Sequence, residues 1–258
     1  MNQIILYLSI LLYSSTIDIE WQPVHKGVNL AKINLSTLSE YNGELFIVKI
    51  DPNTIKPIIM IGDNLNQEPI TAREWCEKYR LNIVMNLGMY HKDFKTHVGY
   101  LKNGEYINNP KWNNYKSALL LEPKKNGLKY ADIIDIDNEA EKNKIDEYNT
   151  IVQNLRLIKG SRINVWQKTS NLWSEAAIGI DKNKNLILLF TSTPLTMYDF
   201  NEIILKLPIG IVKAFHTDGG PPASLSINYG KFNINLSGNN ISDTQEPIPN
   251  IIGFRFND

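Results

Sequence analysis

Short runs rich in β-branched residues, each ended by turn residues, recur along this chain and limit the folds it can adopt. They lie at residues 28–35, 44–50, 55–61, 82–86, 151–158, 176–180, 186–191, 211–217 and 251–256. Runs of this length and composition are typical of β-strands. Asn-Gly pairs at 103–104 and 126–127 and a Tyr-Gly pair at 229–230 stand between apolar stretches, where they favour β-hairpins. The pattern therefore predicts a strand-rich fold.

Only two segments carry a clear helical pattern. Thr71 and Glu74 form a capping-box pattern, which predicts a short helix that runs to about residue 80. Residues 196–207 place their apolar side chains on one face of a second helix. The chain has no internal repeat and no linker rich in proline or serine. We therefore expect residues 18–258 to form one mixed, strand-rich domain of the α+β class.

The composition excludes several classes of protein. The 258 residues are 43% hydrophobic and 21% charged, which is the range of globular proteins and not of disordered chains. Because 27 basic residues balance 27 acidic ones, we expect no binding of nucleic acid through bulk charge. The single cysteine, Cys76, excludes an internal disulfide framework and a cysteine-rich zinc site. The residues point to no metal site and to no cofactor. They do not exclude a structural cation.

The first 17 residues carry no charged side chain. Residues 4–13 form an apolar run of the length found in secretory signal peptides, and small residues at 14–16 offer a cleavage site. The run is too short to span a bilayer, so no stable membrane span is expected. We expect residues 1–17 to be a signal peptide and the protein to be exported, either to the periplasm or to the medium. A buried N-terminal strand or helix is the alternative.

Several familiar catalytic motifs are missing from the sequence. It has no nucleophile elbow, no P-loop, no dinucleotide-binding fingerprint, no zinc-protease helix and no EF-hand loop. Cys76 follows Trp75 in the first expected helix, where a packed thiol is the ordinary state. The remaining candidates are two polar clusters at the ends of expected strands, where the chain turns and functional groups tend to lie.

The first cluster follows the expected strand at 82–86. Asn86 can donate and accept hydrogen bonds through one amide, which suits a sugar hydroxyl or a phosphate oxygen. His91 can change its protonation near neutral pH, and Lys92 supplies positive charge. The alternative is a polar transition from strand to loop in which Asn86 bonds its own turn.

The second cluster ends the expected strand at 211–217. Asp218 enters a turn with Gly219 and Gly220, and two prolines follow. The glycines allow positive φ angles and let a ligand approach main-chain N–H groups. An ordinary Asp-Gly hairpin turn is the alternative, in which Asp218 only bonds the backbone of the turn.

Five short blocks in a fixed order resemble the phosphodiester glycosidase family. They read NLGMYH at 86–91, VGYLKNG at 98–104, QNLRLI at 153–158, AAIGID at 176–181 and DGG at 218–220. The resemblance covers roughly residues 80–230 and implies a mixed α/β domain. It also implies hydrolysis of a sugar-1-phosphate diester, which releases the sugar and leaves a phosphomonoester. The expected partner is therefore a carbohydrate or a sugar phosphate.

The resemblance, with the chemistry of glycoside cleavage, implies roles for particular residues. Asp218 is expected to act at the anomeric carbon as nucleophile or as base for water, with His91 or Glu175 assisting protonation. Asn86 would hold a hydroxyl or a phosphate oxygen. The other expected substrate-binding residues are Gly88, Tyr90, Lys92, Gln153, Arg156, His216, Gly219, Gly220 and Ser224.

One departure from the family leaves a second hypothesis open. Many members have an arginine near the position of Glu175, where it could bind phosphate; Lys92, Arg156, Lys159 and Arg162 are the basic residues that could replace it. The rival hypothesis is a catalytically inactive protein that binds a glycan or an envelope polymer. It predicts an exposed aromatic platform without a convergent acid–base pair, and the candidate platform residues are Trp112, Trp166 and Trp173.

Overall fold

The computed structural model describes residues 17–239 and 244–256. The expected signal peptide at 1–17 therefore falls almost wholly outside the described residues. Within them the chain forms seventeen strands and three helices, and the expected strand-rich fold is confirmed. The strands are β1 Gln22–His25, β2 Val28–Asn34, β3 Glu44–Ile50, β4 Pro57–Ile61, β5 Ile83–Asn86, β6 Leu101–Asn103, β7 Tyr106–Asn109, β8 Ser117–Pro123, β9 Ala131–Asp135, β10 Tyr148–Lys159, β11 Ile163–Asn164, β12 Trp173–Asp181, β13 Leu186–Leu195, β14 Ile211–Gly219, β15 Ser224–Tyr229, β16 Phe232–Ser237 and β17 Asn250–Phe254. The helices are α1 Ala72–Tyr79, α2 Glu139–Lys142 and α3 Met197–Lys206.

The strands form two sheets in which neighbouring strands run antiparallel. The larger sheet has twelve strands, with the order β1-β2-β3-β13-β12-β14-β10-β6-β7 and with β8, β9 and β11 attached through β10. The smaller sheet has five strands in the order β16-β15-β5-β17-β4. The three expected hairpins are present as β6–β7, β8–β9 and β15–β16.

The central strands of the larger sheet are apolar on both faces, and β13 shows why. Its residues Leu186, Leu188 and Phe190 belong to the core between the two sheets, which also contains residues of the smaller sheet. Ile187 and Leu189 belong to a second core, on the opposite face of the sheet. A strand buried on both faces reads as a continuous apolar run, as this one does in the sequence.

The two longer helices cover the outer faces of the sheets. Thr71 and Glu74 complete the expected capping box at the start of α1, whose residues Trp75 and Cys76 pack on the smaller sheet. Helix α3 packs its apolar face, which includes Phe200, on the larger sheet. The resulting order of layers is α3, larger sheet, smaller sheet, α1, and it leaves the ends of β12 and β14 free to carry polar groups.

The segment after β14 is not a hairpin. Strand β14 pairs with β10 and β12 in the larger sheet, whereas β15 pairs with β5 and β16 in the smaller one. Residues 218–223 therefore carry the chain from one sheet to the other. Since the two strands do not pair, the simple Asp-Gly hairpin that the sequence left open is not the structure of this turn.

Candidate active site

Glu175 and His216 form a buried pair at the end of the larger sheet. Strand β12 pairs with β14, which brings the two side chains onto the same end of neighbouring strands. The Nε2 atom of His216 lies 2.8 Å from Oε2 of Glu175, and the side chains are 3% and 1% exposed. Burial lowers the pKa of His216, but the negative charges of Glu175 and Asp218 outweigh it, so that the pKa is raised above its ordinary value of 6.5. The ring therefore keeps its proton to a higher pH than an ordinary histidine does.

Asp218 lies beside this pair and is only partly exposed. Burial, joined by the charge of Glu175, raises the pKa of Asp218 to about 6, although the charge of His216 and the N–H of Gly219 oppose the shift. That N–H donates to Oδ1 of Asp218 at 2.8 Å. A carboxyl group that changes its charge near neutral pH, at the edge of a cavity, is typical of a functional site.

The three residues share one cavity of about 270 Å³. Its lining residues are Trp173, Glu175, Met197, His216, Asp218 and Gly219. Trp173 is 56% exposed, so a large indole surface borders the carboxyl groups. The Nδ1 atom of His216 is buried and hydrogen-bonds none of the described residues. His216 lines the cavity, and its imidazole is the group among the lining residues that can carry a positive charge.

A β-bulge at Thr217 brings His216 and Asp218 into the same cavity. Asp218 pairs with Ala176 and His216 with Ala177, so that Thr217 is the extra residue. Its Oγ1 accepts a hydrogen bond from Nδ2 of Asn86 at 3.2 Å. The bulge thus points the side chain of Thr217 toward the smaller sheet, while the side chains of His216 and Asp218 line the cavity.

Asn86 connects the two sheets at this point. Besides its bond to Thr217, its Oδ1 accepts the backbone N–H of Ser224 at 3.1 Å. Both Asn86 and Ser224 are buried. The contacts place Asn86 behind the bulge, where it fixes the residue between His216 and Asp218.

The two glycines after Asp218 allow the turn to pack beside Trp173. A Cβ atom on Gly219 would lie 2.8 Å from the carbonyl oxygen of Ser174. Gly220 has a φ of +67°, and a Cβ atom there would lie 3.3 Å from the ring of Trp173. Both the close approach and the left-handed backbone favour glycine.

Two tyrosines lie near Asp218. Burial, with the charges of Asp218 and Glu246, raises the pKa of Tyr90 to about 12. Burial and the charge of Asp218 also raise the pKa of Tyr115. Both phenols therefore stay protonated and can donate hydrogen bonds. Tyr90 could be named from the sequence because it lies in a family block, but no motif points to Tyr115.

Gly88 and Gln153 lie in a buried support behind these residues. A Cβ atom on Gly88 would lie 2.4 Å from Asn154 and from His97, so only glycine fits. His97 is fully buried, which lowers its pKa to about 4, and its Nε2 lies 2.8 Å from the carbonyl of Gln153. The side-chain amide of Gln153 makes four bonds to backbone groups of residues 100, 113 and 115. These contacts occupy Gln153 inside the protein.

The remaining expected site residues lie apart from the cavity. His91 and Lys92 are exposed, and the N–H of His91 donates to the carbonyl of Thr96 within a turn. Arg156 contacts Asp135 at 3.2 Å and Asp137 at 2.7 Å. None of these residues lines the cavity of Asp218.

The other two basic residues that the sequence offered for phosphate binding also have protein partners. Lys159 lies 4.0 Å from Asp137, and Arg162 donates to two backbone carbonyls. Cys76 is buried, and this burial, with the charge of Glu77, raises the pKa of its thiol to about 12. The expectation that this thiol is packed is confirmed.

Across residues 17–239 and 244–256, no group of three or more His, Cys, Asp and Glu side chains is arranged to hold a metal ion. In the same part of the chain, no helix has the length and apolar character needed to cross a bilayer.

Solved structures with the same fold include an enzyme. The catalytic domain of zebrafish N-acetylglucosamine-1-phosphodiester alpha-N-acetylglucosaminidase, auto-inhibited by its pro-peptide, superposes with a TM-score of 0.62 at 10% identity, over 95% of this chain and 86% of that one. A hypothetical protein from Synechocystis gives a TM-score of 0.64 at 12% identity, over 93% of this chain and 64% of that one. A Burkholderia pseudomallei K96243 protein, whose name proposes export, gives a TM-score of 0.50 at 7% identity, over 84% of this chain and 75% of that one. At these identities the similarity shows the fold.

The sequence itself carries the family assignment. Among curated proteins, none matches this chain by sequence. The family model described as phosphodiester glycosidase matches residues 79–255, which include β5, β12, β14 and the turn after Asp218. The chain therefore belongs to the phosphodiester glycosidase family.

Proposed function

We propose that this protein hydrolyses the glycosidic bond of a sugar-1-phosphate diester, releasing a free sugar and a phosphomonoester. The observation that carries the proposal is the convergence of Asp218, Glu175 and His216 on one cavity beside the exposed indole of Trp173. The family and the similar fold of the zebrafish enzyme support the same reaction.

The reaction needs little acid assistance, because the departing phosphomonoester is a stable anion. It needs a group that stabilises positive charge on the sugar. Above pH about 6 the negatively charged carboxylate of Asp218 is that group. It acts as nucleophile or as base for an attacking water. The partly exposed position of Asp218 allows a sugar to reach it.

His216 offers positive charge where many family members have an arginine. Its Nε2 faces Glu175, and the positive charge of the protonated ring lies on the wall of the cavity, where it attracts the phosphate of the diester. Glu175 then acts through His216, as the countercharge that keeps the ring protonated. In this proposal Glu175 is a positioning residue, and His91, which is exposed in a turn, has no role in proton transfer.

The rival hypothesis of an inactive binding protein predicts an aromatic platform without convergent acid and base groups. Trp173 is such a platform, yet it borders the same cavity as two carboxyl groups and a histidine. Trp166 is half-buried and donates its indole N–H to the carbonyl of Arg156. The presence of the ionisable groups beside Trp173 favours the enzyme.

Hydrolysis of a panel of sugar-1-phosphate diesters, followed by proton and phosphorus NMR, tests the proposal. The first substrate is the methyl diester of α-N-acetylglucosamine 1-phosphate, chosen from the name of the zebrafish enzyme. We expect free sugar and methyl phosphate to appear in equal amounts. Binding of these diesters without turnover, at any pH between about 5 and 8, would favour the rival hypothesis.

We further propose that residues 18–258 form one catalytic domain and that residues 1–17 direct export. The uncharged apolar run supports the leader, and the core that joins both sheets supports the single domain. The similar fold of the Burkholderia pseudomallei protein, whose name proposes export, agrees with this location.

A further inference from the structure

A short segment before β12 carries a group of exposed apolar side chains. Among the described residues, eight large apolar side chains are exposed, and four of them lie within residues 163–173. They are between 39% and 56% exposed: Ile163, Val165, Leu172 and Trp173. Trp173 borders the cavity of Asp218, whereas the other three do not line it. Single exposed apolar residues are ordinary, but a group of this kind marks a surface that meets another apolar surface.

Helix α3 brings these side chains to one side of the molecule. Near the start of the segment, Nδ2 of Asn164 donates to Oε1 of Glu202 at 2.8 Å. At its end, Trp173 lines a cavity together with Met197. Residues 197–202 of a helix span about 7.5 Å, so the segment begins and ends beside the same part of α3. The four apolar side chains therefore belong to one surface, which we call the Leu172 surface.

The segment that carries the Leu172 surface is fixed to the layers beneath it. Strand β11 pairs with β10, and the indole N–H of Trp166 donates to the carbonyl of Arg156 at 2.8 Å. Oδ1 of Asn164 accepts a hydrogen bond from the buried Asn201 of α3 at 2.8 Å. Because these bonds hold the backbone in place, docking of the surface requires little further ordering of the chain.

The sequence around the Leu172 surface is basic, although the chain as a whole is balanced. Residues 148–174 are the longest stretch of the chain without Asp or Glu, and they contain Arg156, Lys159, Arg162 and Lys168. Arg162 is exposed and donates to two backbone carbonyls. Its guanidinium forms no ion pair with any described residue, so its charge is not offset there.

Acidic groups on neighbouring elements reduce this positive charge only in part. Asp199 lies 3.6 Å from Lys168, and Asp137 lies 4.0 Å from Lys159. The two lysine side chains are 62% and 43% exposed, and long ion pairs in contact with water are weak. Glu202 accepts the hydrogen bond of Asn164. The lysines can therefore turn toward an anionic surface.

Exposed aliphatic side chains, a tryptophan and flanking basic residues are the composition of protein surfaces that bind the headgroup region of a bilayer. We propose that the Leu172 surface docks on an anionic lipid bilayer. Its apolar side chains enter the headgroup region, while the basic side chains attract the lipid phosphates. Since Trp173 belongs both to this surface and to the wall of the cavity of Asp218, the docked protein holds that cavity beside the headgroups. The docking does not depend on the proposed function.

Co-sedimentation of the full chain with vesicles tests the docking. One set of vesicles contains equal parts of phosphatidylglycerol and phosphatidylcholine, and the other contains phosphatidylcholine alone. We expect binding to the anionic vesicles to be about tenfold tighter or more, and to weaken at about 0.5 M salt. Equal binding to both sets, or binding to neither, would overturn the proposal.

Substitutions in the Leu172 surface test its place in the docking. We expect Leu172→Ser to lower the partition coefficient on anionic vesicles about fivefold or more and Ile163→Thr to lower it about threefold or more. Lys168→Gln should lower it about fivefold. The matched control is Ile107→Thr, which changes an exposed isoleucine of β7 and should keep the wild-type value.

Every variant carries the same N-terminus, so the apolar run at 4–13 contributes equally to each measurement. Thermal unfolding checks that each variant is folded. No loss of binding in Leu172→Ser, or equal losses in Ile163→Thr and Ile107→Thr, would overturn the assignment of this surface.

A fluorescent label shows which face of the protein meets the lipid. Cys76 is buried, so a polarity-sensitive thiol label reacts at a cysteine introduced on the surface. We expect a blue shift on anionic vesicles for the label at Ser170→Cys and none for the label at Lys125→Cys, two exposed positions. The reverse result would place the lipid on another face. If no vesicle is bound but Leu172→Ser turns a dimer into a monomer in sedimentation, the surface joins two copies of the chain and the lipid proposal is wrong.

Discussion

Asp218 is a carboxyl group that the fold holds at a cost in stability. Its pKa of about 6 in the folded protein exceeds the ordinary value of 3.8. Between these two pH values the folded state binds the proton more tightly than the unfolded state does. The free energy of unfolding therefore falls as the pH rises from about 4 to about 6. A carboxyl group whose charged form is unfavourable in the folded protein is expected at a site where that charge takes part in a reaction.

A stability prediction follows for Asp218→Asn, which cannot titrate. The free energy of unfolding of the variant minus that of the wild type should be larger at pH 7 than at pH 4. We expect the increase to be roughly 1–3 kcal/mol. Urea unfolding of both proteins at the two pH values measures the difference. A stability difference that does not change with pH would show that Asp218 has an ordinary pKa.

A second prediction concerns the pair of Glu175 and His216. In Glu175→Gln the countercharge is lost and burial dominates, so the pKa of His216 should fall below 6.5. NMR titration of the histidine ring signals measures this, with the other three histidines as internal references. A His216 pKa that stays raised in the variant would contradict the pairing. The pH profile of kcat should change in the same variant, which a merely structural role would not cause.

At this scale the sequence predicted part of the candidate site. Asp218 was named from an acidic residue in a two-glycine turn, and Glu175 and His216 were named from positions beside family blocks, where the chain departs from the family pattern. The sequence did not show that the last two pair, because their contact depends on the register of β12 and β14 and on the bulge at Thr217. His91 was named for its chemistry and for its place in a family block, and the exposed turn that holds it cannot be read from residue type.

Strand β10 is the element that supports the site from behind. Gln153 accepts the N–H groups of Tyr100 and Asn113 at 3.0 and 3.2 Å and donates to the carbonyls of Asn113 and Tyr115 at 3.1 and 2.8 Å. One side chain thus satisfies four backbone groups of partly buried residues, and its loss would remove a partner from each of them.

A prediction at the level of this element is that Gln153→Leu destabilises the protein by about 2–4 kcal/mol. The loop at 113–115 should lose protection in hydrogen exchange before the rest of the protein unfolds. The control is Asn149→Ala, a half-buried change on the same strand, which should cost within about 0.5 kcal/mol. Unchanged protection of the loop in Gln153→Leu would contradict the anchoring role.

The elements themselves were largely predictable from local patterns. The capping box at Thr71 and the Asn-Gly turns give short-range signals, and the corresponding helix and hairpins are present. The assignment of strands to two sheets was not predictable, because pairing depends on contacts between distant residues. The turn after β14 shows this, since an Asp-Gly pair that resembles a hairpin instead connects the two sheets.

At the scale of the whole molecule, the two sheets and two covering helices keep the ends of β12 and β14 in place. The same fold occurs in the zebrafish enzyme at 10% identity, so the arrangement of layers does not depend on particular core residues. On this fold the chain places the histidine–glutamate pair and the indole of Trp173 at the end of the larger sheet.

Export is a prediction about the whole chain. Expressed in a bacterial host, the protein should lose about 15–20 residues and appear outside the cytoplasm, since residues 1–17 have the pattern of a secretory leader. Intact mass of the purified protein and its distribution among cell fractions check this. Recovery of soluble cytoplasmic protein that keeps Met1 would count against it.

The most direct test of the whole account compares hydrolysis by the wild type, Asp218→Asn and Asp51→Asn. Asp51 is the matched control, because it also follows a strand, β3, and its carboxylate accepts hydrogen bonds from Asn53 and Thr54 within a turn. We expect Asp218→Asn to lose a factor of roughly 10²–10⁴ in kcat while remaining folded. We expect Asp51→Asn to lose about 0.5–2 kcal/mol of stability and to keep its activity per folded molecule. If Asp218→Asn hydrolyses the diester as fast as the wild type, Asp218 only shapes a turn and the proposed active site is wrong.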